Sequence, residues 1–264
     1  MNSVADYPLL VFLLSFFAMS FSTWVGGLFI QRLWALRQDI RDDFTVILTP
    51  TLTLLGLLIA FSFSMAISRY DQRKNYEEAE ANAIGTEYLR ATLLSSADAN
   101  KVQALLVRYL DQRIAHYQTR NISQLRQTDA ATSRIETEMW AVVSVAAKTR
   151  PSNVTALAVS GMNDVLNSRG YTQAAWWNRI PPSAWLLMLA IAIFCNLMIG
   201  FGAYRTAGRP LLFLVIPIVV SICFYLISDI ESPRQGIIRV SPQNLISLSH
   251  SLQSQGKASP SQQQ

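Results

Sequence analysis

An all-α membrane protein is the fold class this sequence predicts, with four transmembrane helices and a helical polar domain between the second and the third. Three observations predict it. Four long runs, 8–30, 44–68, 184–204 and 210–228, contain no Asp, Glu, Lys, Arg or His. Charged residues make up 15% of the chain, against about 25% in soluble domains, and the deficit sits in those runs. Between the second and third runs, residues 69–183 place apolar side chains at helical spacing with no period-2 alternation.

Each run is long enough for one crossing at about 1.5 Å per residue. Buried helices of soluble proteins rarely extend so far without a charge, and four in one chain are rarer still. The segment before the first run has no Lys or Arg and carries Asp6. It lacks the basic start of a cleavable signal, so the run should remain as a span.

The second run holds Pro50 and Gly56, then turns abruptly into Arg69-Tyr70-Asp71-Gln72-Arg73. No break signal stands at Ser68, so the helix should continue out of the membrane into the polar domain. Such coupling suits a channel or a transmembrane sensor. In the polar domain, 72–94 is rich in helix formers, and Ser95 to Asp98 supplies a break with an N-cap. Val102, Leu105, Leu106, Tyr109, Ile114 and Tyr117 form a helical stripe. Asn121 and Ser123 mark the next turn. Ile135, Met139, Trp140, Val143, Val145 and Ala146 mark a third helix ending at Pro151 to Asn153, and a fourth runs over 154–166, closed by Asn167 to Gly170. Trp176, Trp177, Trp185 and Tyr171 read as an interfacial aromatic belt. Pro181-Pro182 is a rigid entry to the third span. The predicted divisions are 1–68 for the first two spans, 69–183 for the cytosolic helical domain, 184–228 for the last two spans, 229–250 for a post-membrane segment and 251–264 for a disordered tail.

The net charge of +5 reflects basic residues beside the spans, whose partner is the lipid bilayer rather than nucleic acid. Arg32, Arg37, Arg41, Arg205 and Arg209 flank one side. Arg69, Arg73, Lys74, Arg169, Arg179, Arg234 and Arg239 flank the other, and their small excess leans toward a cytoplasmic polar domain. Cys195 and Cys223 lie in apolar runs and read as buried hydrophobes. His116 and His250 have no ligand cluster at metal spacing, so neither metal nor cofactor is expected.

No phosphate loop, nucleophile arrangement or zinc spacing appears, and no enzyme is predicted. The pairs Arg73–Glu77 and Lys74–Glu78, with Glu80, Glu87 and Arg90 nearby, read as a solvated helix face worth tenths of a kcal/mol per pair. Thr53, Leu57 and Phe61 lie at i, i+4, i+8, with Ser64 and Ser68 continuing their face. From periodicity alone that face packs on neighbouring helices; in a ring of subunits it would form a hydrophobic constriction.

The segment Ala60-Phe61-Ser62-Phe63-Ser64-Met65-Ala66-Ile67-Ser68-Arg69 resembles the second span of the bestrophin family, where a Gly-Phe step is followed eight positions later by an arginine at the membrane exit. Arg69 to Arg73 and Glu80-Ala81-Asn82-Ala83-Ile84-Gly85-Thr86 are similar to the bacterial bestrophin-like group. Asp229-Ile230-Glu231-Ser232-Pro233 is similar to its Glu-Asn-Pro-Phe-Gly segment. The resemblance implies a bestrophin-like pentameric ion channel, for anions, in a bacterial inner membrane with cytosolic termini. It implies a neck lined by Thr53, Leu57 and Phe61, continued by Ser64 and Ser68. Phe61 matches in kind, Leu57 is conservative, Thr53 departs from the apolar pattern and Ala60 replaces the glycine. Arg69, Asp71, Arg73, Glu80, Asn82, Gly85, Arg90, Asp229, Glu231 and Pro233 are the implied vestibule and structural-motif positions. Asp229 and Glu231 are too few for a calcium shell, so calcium gating is not expected. Arg69 and Arg73 at the exit favour anions, and Asp71 and Glu77 oppose them. A non-conducting scaffold or sensor whose polar helices bind a partner is the alternative. A lipid enzyme would have only Asp71, Glu80 and Asp229 to draw on.

Overall fold

A computed structural model describes residues 6–33, 39–202 and 213–258, with side chains described except at 29–33, 39–45, 202 and 255–258. The described residues are helical, with no strand among them. The helices are α1 Pro8–Leu33, α2 Asp39–Arg90, α3 Ser96–Gln118, α4 Ile122–Thr149, α5 Asn153–Trp177, α6 Pro182–Gly202, α7 Val215–Glu231 and α8 Gln243–Ala258. A short 3-10 turn, Ala91–Leu93, follows α2. The side chains of Arg32 and Arg41, together with Arg37, Arg205, Arg209 and tail residues 259–264, lie outside the described residues.

Helix α2 is 52 residues long and contains Pro50. At about 1.5 Å per residue it measures roughly 78 Å, more than twice a hydrocarbon core of about 30 Å. It continues through Ser68 without interruption. The hydroxyls of Thr51 and Thr53 bond back across the proline to the carbonyls of Ile47 and Thr49, at 2.7 and 3.0 Å.

The chain divides into two compact units. The first comprises residues 1–70 and 179–239. Here α1 packs against α6 and α7. Met19, Leu55, Met188, Ala192, Cys195, Val220 and Phe224 form one buried cluster, and Ala66, Ile180, Ile227 and Ile230 form another. Glycine sets the α1–α6 approach, because a Cβ at Gly26 would run into the Leu197 carbonyl and one at Gly200 into the Thr23 carbonyl. Ser22 Oγ donates to the Ile193 carbonyl at 2.7 Å across the same contact. Three stretches among the described residues are long and apolar enough to cross a membrane: Pro8–Leu28, Val46–Leu93 and Asn153–Phe201. Helix α7, at 17 residues, is shorter.

The second unit comprises residues 71–178 and 240–264. Its core joins the end of α2 to α3, α4, α5 and α8 through Ile84, Val102, Leu106, Tyr109, Leu110, Met139, Val143, Met162, Val165 and Leu245. The predicted cap at 95–98 forms, with Ser95 Oγ accepting from Asp98 N at 3.3 Å. At the two predicted breaks that follow, the structure adds caps not predicted as such: Asn121 Oδ1 accepts from Ser123 N at 2.8 Å and Ser152 Oγ from Thr155 N at 3.0 Å.

Three expectations are corrected. Helix α5 does not close at 167–170 but runs on to Trp177. Ser168 bonds back to the Val165 carbonyl instead of breaking the helix, and Ala175 and Trp176 are buried beyond it. Trp176 is no belt residue, since it packs inside the second unit against His116 and Tyr117. Trp177, by contrast, is 75% exposed. Helix α8 runs into the predicted tail as far as Ala258, and it places Leu245, Leu248 and Leu252 on one face against the second unit's core.

Candidate functional site

Buried residues of α2 recur every three to four positions along one face. In the first unit it buries Leu55, Ser62 and Ala66; in the second it buries Arg73, Glu77, Glu80, Ile84 and Glu87. This corrects the solvated-face expectation. Only Lys74 and Glu78 of the two predicted pairs point outward, because α3, α5 and α8 cover the other side.

At the centre of the second unit, Glu80 is 0% exposed and Arg113 of α3 is 1% exposed. Arg113 Nε pairs with Glu80 Oε1, and Arg113 Nη2 donates to Glu80 Oε2 at 3.2 Å. This two-point match is the strong form of an Arg–carboxylate contact. Tyr117 Oη donates to Glu80 Oε2 at 3.4 Å, and Thr172 Oγ1 lies 3.3 Å from the same oxygen. The Arg113 guanidinium also sits over the Tyr117 ring, 5.8 Å from its centroid. Burial alone would lower the Arg113 proton affinity, but the Glu80 carboxylate more than reverses this and holds the guanidinium charged. Burial, and then Glu80, push the Tyr109 and Tyr117 phenols well above their ordinary range. Beside them, Arg169 donates to Glu136 at 2.5 Å and to Ser133 at 3.0 Å. Burial raises the Glu136 carboxyl, while Arg169 opposes the rise.

Three residues earlier on α2, Glu77 caps α8. Its Oε1 accepts from the backbone of Asn244 and Leu245, at 3.0 Å each, and its Oε2 accepts from Asn244 Nδ2 at 2.7 Å. A carboxylate at a helix N-terminus satisfies orphan donors and meets the positive end of the helix dipole. Further along, a Cβ at Gly85 would stand 3.1 Å from Leu248 of α8. Asn82 is exposed, and Arg90 pairs with Asp164 at 3.8 Å.

In the first unit, the segment after α7 is tied by two acids. Asp229 accepts from Ile237 N at 2.7 Å and Ile238 N at 2.8 Å. Glu231 Oε2 accepts from Ile180 N at 2.7 Å and from Arg69 at 3.3 Å. Pro233 lies in the turn that follows them, half-buried. Gly236 closes that turn, where a Cβ would collide with the carbonyls of Asp229 and Ser232.

The predicted neck positions, Thr53, Leu57, Phe61, Ser64 and Ser68, lie on the opposite face of α2 and are all exposed. Leu57 is 51% and Phe61 60% exposed. Asp71 is exposed too, whereas Arg69 and Arg73 turn inward. The anion argument built on Arg69 and Arg73 at the exit is corrected accordingly, and so is the opposition ascribed to Glu77, which is also buried. Of the acids a lipid enzyme could draw on, Glu80 is held by Arg113 within the second unit and Asp229 by the backbone of Ile237 and Ile238 within the first. Among the described residues no three His, Cys, Asp or Glu side chains gather as a metal site.

Sequence reading missed Arg113, Thr172 and the inward roles of Glu77 and Glu87. The signal was present at two positions. Arg113 sits four residues from both Tyr109 and Tyr117 on the apolar stripe of α3. Glu80 and Glu87 flank Ile84 at 80, 84, 87. A charge inside an apolar stripe calls for a buried partner.

The profile of the Bestrophin-like domain matches residues 12–245. The fold is similar to that of a bacterial bestrophin homologue from Klebsiella pneumoniae carrying a point mutation, at 13% identity and a TM-score of 0.65, over 94% of this chain and 98% of that one. It is also similar to the Klebsiella pneumoniae homologue solved by Zn-SAD phasing, at 13% identity and a TM-score of 0.65, over 93% and 97% of the two chains. A point mutant described as a membrane protein matches at 11% identity and a TM-score of 0.66, over 92% and 97%. No curated protein matches this sequence. With the profile covering most of its length, the chain belongs to the bestrophin-like family.

Proposed function

We propose that the chain is one subunit of a pentameric, anion-conducting channel in a bacterial inner membrane. It has four crossing helices, and its termini and polar helical domain are cytoplasmic. One observation carries this reading: in a bestrophin-like chain, the stripe Thr53, Leu57, Phe61, Ser64 and Ser68 stands exposed opposite the buried face of α2. The most apolar part of Val46–Leu93 is 11% buried, against 22% for Pro8–Leu28 and 33% for Asn153–Phe201. Of the three stretches, α2 therefore has the most surface left for neighbouring copies.

In a ring, Leu57 and Phe61 would form apolar collars able to gate by dewetting, and Thr53, Ser64 and Ser68 would form wetter collars on either side. The spans are assigned to 1–68 and 184–228, with the fourth built on α7. Residues 69–183 form the cytosolic domain and 229–250 the segment after the last span. Anion preference comes from the family rather than from Arg69 and Arg73, which face inward. Exposed Asp71 opposes it, so Asp71→Asn should increase anion over cation permeability, read as a shift in reversal potential.

The test is native mass spectrometry of the detergent-purified protein, followed by liposome flux. A pentamer whose flux changes with Leu57→Ala and Phe61→Ala supports the reading. A monomer or dimer removes the pore. A pentamer without flux for either sign of ion moves the chain to the scaffold or sensor alternative.

A further inference from the structure

Glu87, on the last turn of α2, is wholly buried. Neither of its carboxylate oxygens has a hydrogen-bond partner among the described residues. Gly161 of α5 faces it. A Cβ at Gly161 would run into Glu87 Oε2 and would stand 2.7 Å from Arg90 Nη1. The hollow left by the glycine thus receives the carboxylate and the guanidinium together, without a bond between them. Arg90 instead reaches Asp164 of α5, at 3.8 Å, in a pair whose acid is 61% exposed. Arg90 on its own helix and Asp164 on α5 are the charged groups that act on Glu87. Burial, reinforced by Asp164 and opposed by Arg90, moves its carboxyl from 4.5 to about 8.

We propose that Glu87 is a proton-operated latch between α2 and α5. Protonated, it rests neutral in the Gly161 hollow and leaves Arg90 to Asp164. On losing its proton to solvent, it draws Arg90 away from Asp164 and so exchanges the ion pair that ties the end of α2 to α5. A fully buried carboxylate with no hydrogen-bond partner among the described residues needs either the proton or a cation, and Arg90, the cation beside it, is paired with Asp164. The latch does not depend on conduction.

The folded protein holds a proton here that the unfolded chain has already released. Stability therefore falls as pH rises from about 4.5 to about 8 and levels off above that.

Infrared difference spectroscopy of the full-length protein reads the carboxyl directly. In the native protein a protonated-carboxyl carbonyl band should be present at neutral pH and disappear with a midpoint near 8; in Glu87→Gln that titration should be missing. The thermal midpoint of the native protein should decline between about pH 5 and 8, and the variant should flatten that decline. A native protein with no such band at neutral pH, or a band unaltered in Glu87→Gln, overturns the proposal. Should Glu87→Gln fail to fold, Asp164→Asn decides. Removing the neighbouring negative charge and the competing partner of Arg90 should move the midpoint downward, and an unmoved midpoint overturns the latch.

Discussion

Leu55, Ser62 and Ala66 in the first unit and Arg73, Glu77, Glu80 and Glu87 in the second occupy one continuous face of α2, and all are buried. The opposite face is exposed in both halves, with Leu57 and Phe61 in one and Asp71, Lys74, Glu78 and Asn82 in the other. The apolar half buries Leu55, Ser62 and Ala66 and leaves Leu57 and Phe61 outward, so apolar side chains stand on both of its faces. The polar half places acids on its inside, where Arg113, the α8 backbone and the Gly161 hollow receive them. Hydrophobicity therefore does not identify the inward face of this helix. Contact with the other helices does, and each half uses different chemistry to make it.

The largest expected effect would break the polar half. Arg113→Ala leaves Glu80 buried without its partner and should cost about 3–5 kcal/mol, measured by denaturant unfolding of the purified protein. The double variant Glu80→Gln/Arg113→Met should recover much of that loss; if it is no better than Arg113→Ala, the pair is not what the core depends on. In the apolar half, Leu55→Ala removes a side chain 2% exposed and should cost about 2–4 kcal/mol. A cost near zero would mean that the apolar half of α2 is held less by its own unit than its burial suggests. Next comes Glu77→Ala, which should cost about 1–2 kcal/mol as a lost cap and should speed amide exchange at Asn244 and Leu245 without affecting α3. The smallest effect on folding is expected for Leu57→Ser, within about 0.5 kcal/mol for an exposed position. Its effect should appear in oligomer stability or flux. A large folding loss there, with assembly and flux unchanged, would place Leu57 inside a subunit and undo the comparison.

Much of the local structure was legible in the residues. Ser95, Asn121 and Ser152 announce helix starts through side-chain oxygens that satisfy free backbone donors, and the uncharged stretch 44–68 announces the apolar half of α2. The candidate site was legible in part. The stripe from Thr53 to Ser68 follows from a 3.6-residue period. The Asp229 and Glu231 segment was found by resemblance, although which backbone groups those acids bind was not. Arg113 gives no unambiguous signal, because an arginine within an apolar stripe can equally extend its head to water. Gly170 signals a helix end, because glycine often stands just past one. Here the burial of Trp176 beyond it carries α5 onward.

By itself, the sequence determined the elements and their periodicity, since apolar spacing, caps and the absence of charge act over a few residues and need no distant partner. Only the tertiary structure decided which charges lie inside. Glu80 and Arg113 are 33 positions apart and Glu77 and Asn244 are 167 apart. A buried charge is tolerated only where another element supplies the compensating group at bonding distance, and no local pattern in the chain specifies that meeting.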